Sequence, residues 1–259
     1  MFSVEEITIV AGRQQLLSEV TLQFESKSIT AILGANGAGK STLFKSLLGE
    51  YPLKKGHVRF NGQAVSQYSL SQLSKMRAYI AQVKTGFFSM LVHEYLQLAR
   101  LQYPESDKYS ENLILTLAEQ FQIAHLLMRD VTYLSGGELQ LIEFVRAYLQ
   151  LYQSANMQGK CLLLDEPASA LDIKQTRLLY GHLKTFQQQG GTVIIIDHNI
   201  NAVANIATNL VLIKDGKLLA EGSRKAVFNK TILDTCFETN GQIILNKAND
   251  AVENSIYQV

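Results

Sequence analysis

Cysteine is scarce in this chain: 259 residues hold two. Cys161 and Cys236 have no metal-ligand spacing, and Cys161 opens the apolar run Cys161-Leu-Leu-Leu164, so a buried reduced thiol is expected, not a disulfide. A cytosolic setting follows as an expectation. An excess of one charge sign is also missing, with 24 Lys and Arg against 23 Asp and Glu, which removes any overall electrostatic case for nucleic acid or an anionic membrane surface. No nucleic-acid partner is expected. Long hydrophobic runs are absent too. Leu162-Leu163-Leu164 and Val193-Ile194-Ile195-Ile196 are strand-sized, and the opening Met-Phe-Ser-Val-Glu-Glu has no basic segment followed by an apolar one, so the chain is not expected to cross a bilayer. Repeats, low-complexity segments, sustained heptads and long linkers are missing as well. The length suits one large α/β domain with a substantial core.

Against these absences stands Gly34-Ala-Asn-Gly-Ala-Gly-Lys40-Ser41-Thr42, after the apolar run Ile29-Thr-Ala-Ile-Leu33 and before the helical Leu43-Phe-Lys-Ser-Leu-Leu48. A strand, a glycine-rich loop and a helix in that order form a phosphate cradle, because Gly34, Gly37 and Gly39 let backbone amides and a helix N-terminus approach polyphosphate oxygens. Lys40 is expected to reach the β/γ-phosphates and the Ser41 hydroxyl to hold Mg²⁺. Asn36 and Thr42 complete the candidate nucleotide contacts. The bland alternative is a glycine turn followed by a lysine, but the pattern arises by chance in roughly one chain in a hundred of this length. The flanking elements lower that further.

Residues 2–10 and 17–24 alternate as an antiparallel pair around Gly12-Arg13, and Gly56-His-Val-Arg-Phe60 followed by Asn61-Gly62 signals a hairpin. A short strand runs over Arg77–Gln82. From about 87 to 158 apolar residues fall at helical spacing, notably Val92–Leu101 and Asn112–Leu127, which predicts a helical insert. Strands return at Cys161–Leu164 and Thr192–Ile196 around a helix over Ile173–Gln189, the order of βαβ units in a mostly parallel sheet. Residues 208–222 read as a hairpin around Asp215-Gly216. The stretch 224–259 is weakly patterned. The whole is read as a single domain over 1–259.

The strand Leu162–Leu164 ends in Asp165-Glu166-Pro167, placing two carboxylates at a strand C-terminus, where α/β sheets bind ligands. Asp165 suits Mg²⁺ and Glu166 suits polarising a water against a γ-phosphate. Alone, the pair would be a solvated acidic turn.

Two more strings narrow the class. Leu134-Ser135-Gly136-Gly137-Glu138 opens a helix, and His198 follows a strand ending at Asp197. With Gln82 and Ser169-Ala-Leu-Asp172, these strings resemble the ATP-binding cassette (ABC) ATPases in kind and in order, over nearly the whole chain to about residue 222. The resemblance implies an α/β P-loop NTPase core with a mostly parallel sheet, an N-terminal antiparallel β subdomain and an inserted α-helical subdomain. It also implies ATP and Mg²⁺ as cofactors and a head-to-tail homodimer, in which Ser135, Gly136, Gly137 and Glu138 of one copy complete the phosphate loop of the other. Gln82 is then expected to meet the metal and the attacking water, His198 the γ-phosphate, and Asp172 the opposing site. Two departures stand out. An aromatic that stacks on adenine is replaced by Val10-Ala11-Gly12-Arg13, where Arg13 either contacts the base or is a solvated turn residue. The signature ends in Glu138 instead of the commoner Gln, and Leu141 replaces a basic residue.

Resemblance to the transporters implies a membrane permease partner, a periplasmic or surface substrate-binding protein, and a peripheral place on the cytoplasmic face of the membrane. Phe87, Phe88 and Met90 are candidate groove residues for the permease or ordinary core. The polar excursion Gln153–Gly159 before the Asp165 strand is similar to the ATPases of haem, ferric-siderophore and vitamin B12 importers, to haem importers slightly more than to the others. A soluble ATPase of iron–sulfur cluster assembly and an exporter ATPase are the alternatives.

Overall fold

A computed structural model describes residues 1–81 and 88–240, and the backbone of 242–245 and 255–258. Along the chain run β1 (Phe2–Ala11), β2 (Gln14–Phe24), β3 (Ile29–Leu33), α1 (Lys40–Leu48), β4 (Lys55–Phe60), β5 (Gln63–Ala64), α2 (Leu70–Ser74) and β6 (Arg77–Ile80). There follow α3 (Val92–Gln97), α4 (Asp107–Gln120), α5 (Gly136–Leu151), β7 (Cys161–Asp165), α6 (Ile173–Gln188), β8 (Thr192–Ile196) and α7 (Ile200–Ala204). β9 (Asn209–Lys214), β10 (Lys217–Ser223), α8 (Arg224–Val227), α9 (Lys230–Phe237), β11 (Gln242–Leu245) and β12 (Ser255–Gln258) complete it. Two compact units share the chain, Met1–Ser69 with Thr192–Val259, and Leu70–Gly191.

In the first unit β1 lies between β2 and β4 in an antiparallel sheet, as the alternation predicts. Phe2, Phe24 and Phe60 are fully buried on its inner face, with Phe2 and Phe60 ring centroids 4.5 Å apart. β3 pairs in parallel with β8 on one side and β9 on the other, and β10 closes antiparallel on β9. Every residue of β3 and β8 is buried, which is why both read as unbroken apolar runs and not as alternating ones. Each Ile, Leu and Val among them contributes about 1.5–3 kcal/mol on leaving water. Ile32 stands opposite Ile196, so the loops after β3 and β8 leave the same sheet edge side by side.

In the second unit β6 and β7 pair in parallel, Ile80 opposite Leu164. Among the described residues between them no strand forms, and helices fill the interval as predicted. Their boundaries differ from the periodic reading. The predicted helix over 112–127 begins earlier, at Asp107 behind the Ser106 cap, and stops at Gln120, because Gln122 turns left-handed (φ 59°) ahead of a separate short turn at Ala124–Leu126. Val92–Leu101 likewise breaks after Gln97 into a 3₁₀ turn. In the weakly patterned tail α8 and α9 form behind Ser223 and Asn229 caps and bury Val227, Leu233 and Cys236. Both cysteines are buried free thiols, and burial pushes the Cys161 thiol up to about 12. No helix among the described residues is long and apolar enough to cross a membrane.

Candidate active site

The loop after β3 turns where its glycines allow it. Gly37 takes φ 79° with open space where a Cβ would stand, so its backbone is exposed to an incoming ligand. Gly34 is there for a different reason: a Cβ would lie 2.3 Å from the Ile213 carbonyl oxygen of β9. α1 then starts at Gly39 with no side-chain cap and no acid in its first turn. Its first intrahelical bond runs from Leu43 N–H to the Gly39 carbonyl at 2.9 Å, leaving the amides ahead of it outside the ladder, an end suited to anions.

An open cavity of about 520 Å³ lies over this end, lined by Gln14–Leu16, Gly37, Gly39–Thr42, Asp215 and Gly216. Lys40 is only 7% exposed, and its Nζ donates to the Gly34 and Ala35 carbonyls at 2.8 and 2.9 Å. An ammonium held on the loop's own carbonyls stands ready beside incoming phosphate oxygens. These features fit a nucleoside triphosphate. His198, exposed after β8, leaves the same sheet edge as the loop, its turn set by the Asp197 carboxylate, which accepts from Asn199 N–H at 2.9 Å.

In the second unit Asp165 ends β7 and is 9% exposed. Glu166 holds a left-handed backbone (φ 53°), an uncommon state for a residue with a side chain and one that clusters at functional sites. The turn is fastened by Gln140 of α5, whose Nε2 donates to the Ser169 hydroxyl at 2.8 Å and whose Oε1 accepts from Ala170 N–H at 3.0 Å. Asp172 caps α6, accepting from Gln175 N–H at 2.7 Å. Ser135 and Glu138 form a capping box at the start of α5, and the Ser135 N–H, its hydroxyl and the Arg129 charge hold the Glu138 carboxyl below the usual carboxylate range. A Cβ on Gly137 would come within 3.0 Å of the Ala170 carbonyl, so the signature glycines also permit close approach to the 169–172 turn. Among the described residues no three His, Cys, Asp or Glu side chains converge. Mg²⁺ needs none, since one or two oxygen ligands suffice together with phosphates and water; the Ser41 hydroxyl in the first unit and the Asp165 carboxylate in the second are each of a ligand type that it takes.

Gln82 and Phe87 lie outside the described residues. Arg13 is not in the cavity wall, where Gln14, Gln15 and Leu16 stand instead. Those three carried no local signal. The Asp215-Gly216 turn was legible as a hairpin, but not its docking: Gly216 N–H donates to Ala38 O at 2.9 Å, and Gly216 O accepts from Ser18 N–H at 2.8 Å. Gln140 had a usable sign, a polar residue on the apolar face of a helix, here 4% exposed.

The family model for ABC transporters matches residues 17–169. This chain belongs to the ABC transporter family. The ABC ATPase is 34% identical over 230 residues to the hemin import ATP-binding protein of Bartonella henselae, covering 88% of this chain and 86% of the relative. It is 36% identical over 227 residues to the vitamin B12 import ATP-binding protein of Vibrio cholerae, covering 86% and 89%. Its fold is similar, at TM-score 0.74 and 21% identity, to an ATP-binding cassette solved as a dimer in a post-hydrolysis state with ADP and Pi, covering 86% of this chain and 99% of that one. As an ABC ATPase it has the phosphate loop, acidic strand end and signature in the family's order, so the expected fold class and enzyme class are met.

Proposed function

We propose that this ABC ATPase is the ATP-hydrolysing subunit of an import system for iron complexes such as haem or siderophores, or for vitamin B12, driving a membrane permease from the cytoplasmic face. The observation that carries the reading is identity above 30% to hemin and vitamin B12 import ATP-binding proteins across more than four-fifths of the chain. In the proposed site Lys40 and the loop amides of Gly34, Asn36, Gly37 and Gly39 hold the phosphates, with Ser41 and Thr42 at the helix start. Ser41 and Asp165 hold Mg²⁺, with Gln82 as a further ligand; the ion neutralises phosphate charge when bound. Glu166 takes a proton from the attacking water, and His198 contacts the γ-phosphate.

Because Ser135–Glu138 and Asp172 are proposed to serve the nucleotide of a second copy, the working unit is a head-to-tail homodimer, a reading supported by the dimeric cassette of similar fold. Phe88, 84% exposed, is a candidate contact for the permease, which in turn receives cargo from a periplasmic or surface binding protein. Inspection of the neighbouring reading frames for a multi-span permease, and reconstitution with it, tests the cargo class. Transport-coupled hydrolysis stimulated by haem, a ferric siderophore or cobalamin supports the proposal; assembly with iron–sulfur scaffold proteins in place of a permease overturns it.

A further inference from the structure

Two helix ends are assigned to phosphate in this protein, and they are built differently. α1 begins uncapped and without an acid in its first turn. α5 begins with a carboxylate: Glu138 Oε2 accepts from Ser135 N–H at 2.7 Å, while the Ser135 hydroxyl accepts from Glu138 N–H at 3.3 Å. The box satisfies two donors that the helix leaves over. It also sets a full negative charge where a helix end supplies only about half a positive one. Left so, that end would repel an anion.

Arg129 lies six residues before Ser135 in the chain and changes the balance. Its Nη1 donates to Glu138 Oε1 at 2.7 Å, and its Nη2 donates to the Tyr133 carbonyl at 2.9 Å, so the guanidinium is held from two sides. The neighbouring acid, Asp130, is engaged in its own turn, accepting from Thr132 N–H at 2.8 Å and from the Ser89 hydroxyl. Helix stability does not require the pair, because a capping box takes Gln as readily as Glu.

We propose that Arg129 is a positioning residue for ATP hydrolysis: by neutralising Glu138 it keeps the start of α5 net positive, so that Ser135 and the Gly136 and Gly137 amides can meet the phosphate of the opposing copy's nucleotide. The inference rests on the signature reading given above and names the residue that makes an acidic signature work. The departure from Gln to Glu at position 138 is thereby compensated from outside the motif.

The test is hydrolysis against ATP concentration for wild type, Arg129→Ala, Glu138→Gln and the double variant, with ATP binding measured separately on each full-length chain. Loss of the neutralising charge raises the half-saturating ATP concentration for hydrolysis roughly fivefold or more, with binding to the phosphate loop unchanged. In the Glu138→Gln background the same Arg129→Ala change costs less than about twofold. Arg129→Gln, which keeps a donor, behaves like Arg129→Ala and stands in for it should the alanine variant fold poorly. Wild-type behaviour of Arg129→Ala overturns the proposal, and so does an equal loss in both backgrounds, which would make Arg129 a packing residue. Normal hydrolysis by Ser135→Arg overturns the underlying signature reading instead.

Discussion

Glu166 carries the most specific claim at the scale of single residues. It follows a buried aspartate at the end of β7 and sits in a left-handed backbone held by the Gln140-fastened turn. Glutamine has the same length and the same backbone tolerance, so Glu166→Gln isolates the carboxylate. Hydrolysis is expected to fall by about 100-fold or more, with ATP binding retained and dimers accumulating in ATP. Phosphate release and size-exclusion chromatography measure both, and turnover near wild type would remove Glu166 from the base role. Lys40, Ser41, Asp165 and Glu166 were legible as candidates because each belongs to a short string with its own chemistry. Gln140 and Arg129 were not, since each acts on residues brought near only by folding: Gln140 on Ser169, and Arg129 on Glu138 through a turn.

Helix α5 shows the same division at the scale of elements. Its start was visible from Leu134-Ser135-Gly136-Gly137-Glu138. Its far end is fixed by something no periodicity records. Arg100 is buried, donates to the Leu149 and Tyr152 carbonyls at 2.6 and 2.5 Å, and pairs with Glu105 at 2.6 Å. The guanidinium thus satisfies last-turn carbonyls that would otherwise lack donors. Glu105→Ala leaves that charge buried without its counter-ion, and a loss of about 3 kcal/mol is expected, read as a lower midpoint in urea unfolding. An unchanged midpoint would mean the helix end holds without the pair. Helix limits were less legible than strands, because β3, β7 and β8 are continuous apolar runs whereas α4 ends on a backbone turn at Gln122 that hydrophobic spacing does not encode.

For the whole molecule, fold class and the order of site elements were readable, since they depend on local strings and on the alternation of strands and helices. The cavity was not. Its wall joins β2, the loop before α1 and the β9–β10 turn, which lie far apart in the chain and meet through contacts such as Gly216 N–H to Ala38 O. On the proposed reading the phosphate loop is half a site, completed by Ser135–Glu138 of another copy. Mixing Lys40→Ala chains with Ser135→Arg chains tests it most directly, because a head-to-tail pair then places both lesions in one site and leaves the other whole. Each variant alone is expected to be inactive, and an equal, fully exchanged mixture to recover about a quarter of wild-type hydrolysis, half of the dimers being mixed and each holding one intact site. Full activity of Ser135→Arg alone, or no recovery in a mixture shown to have exchanged chains, would contradict the account.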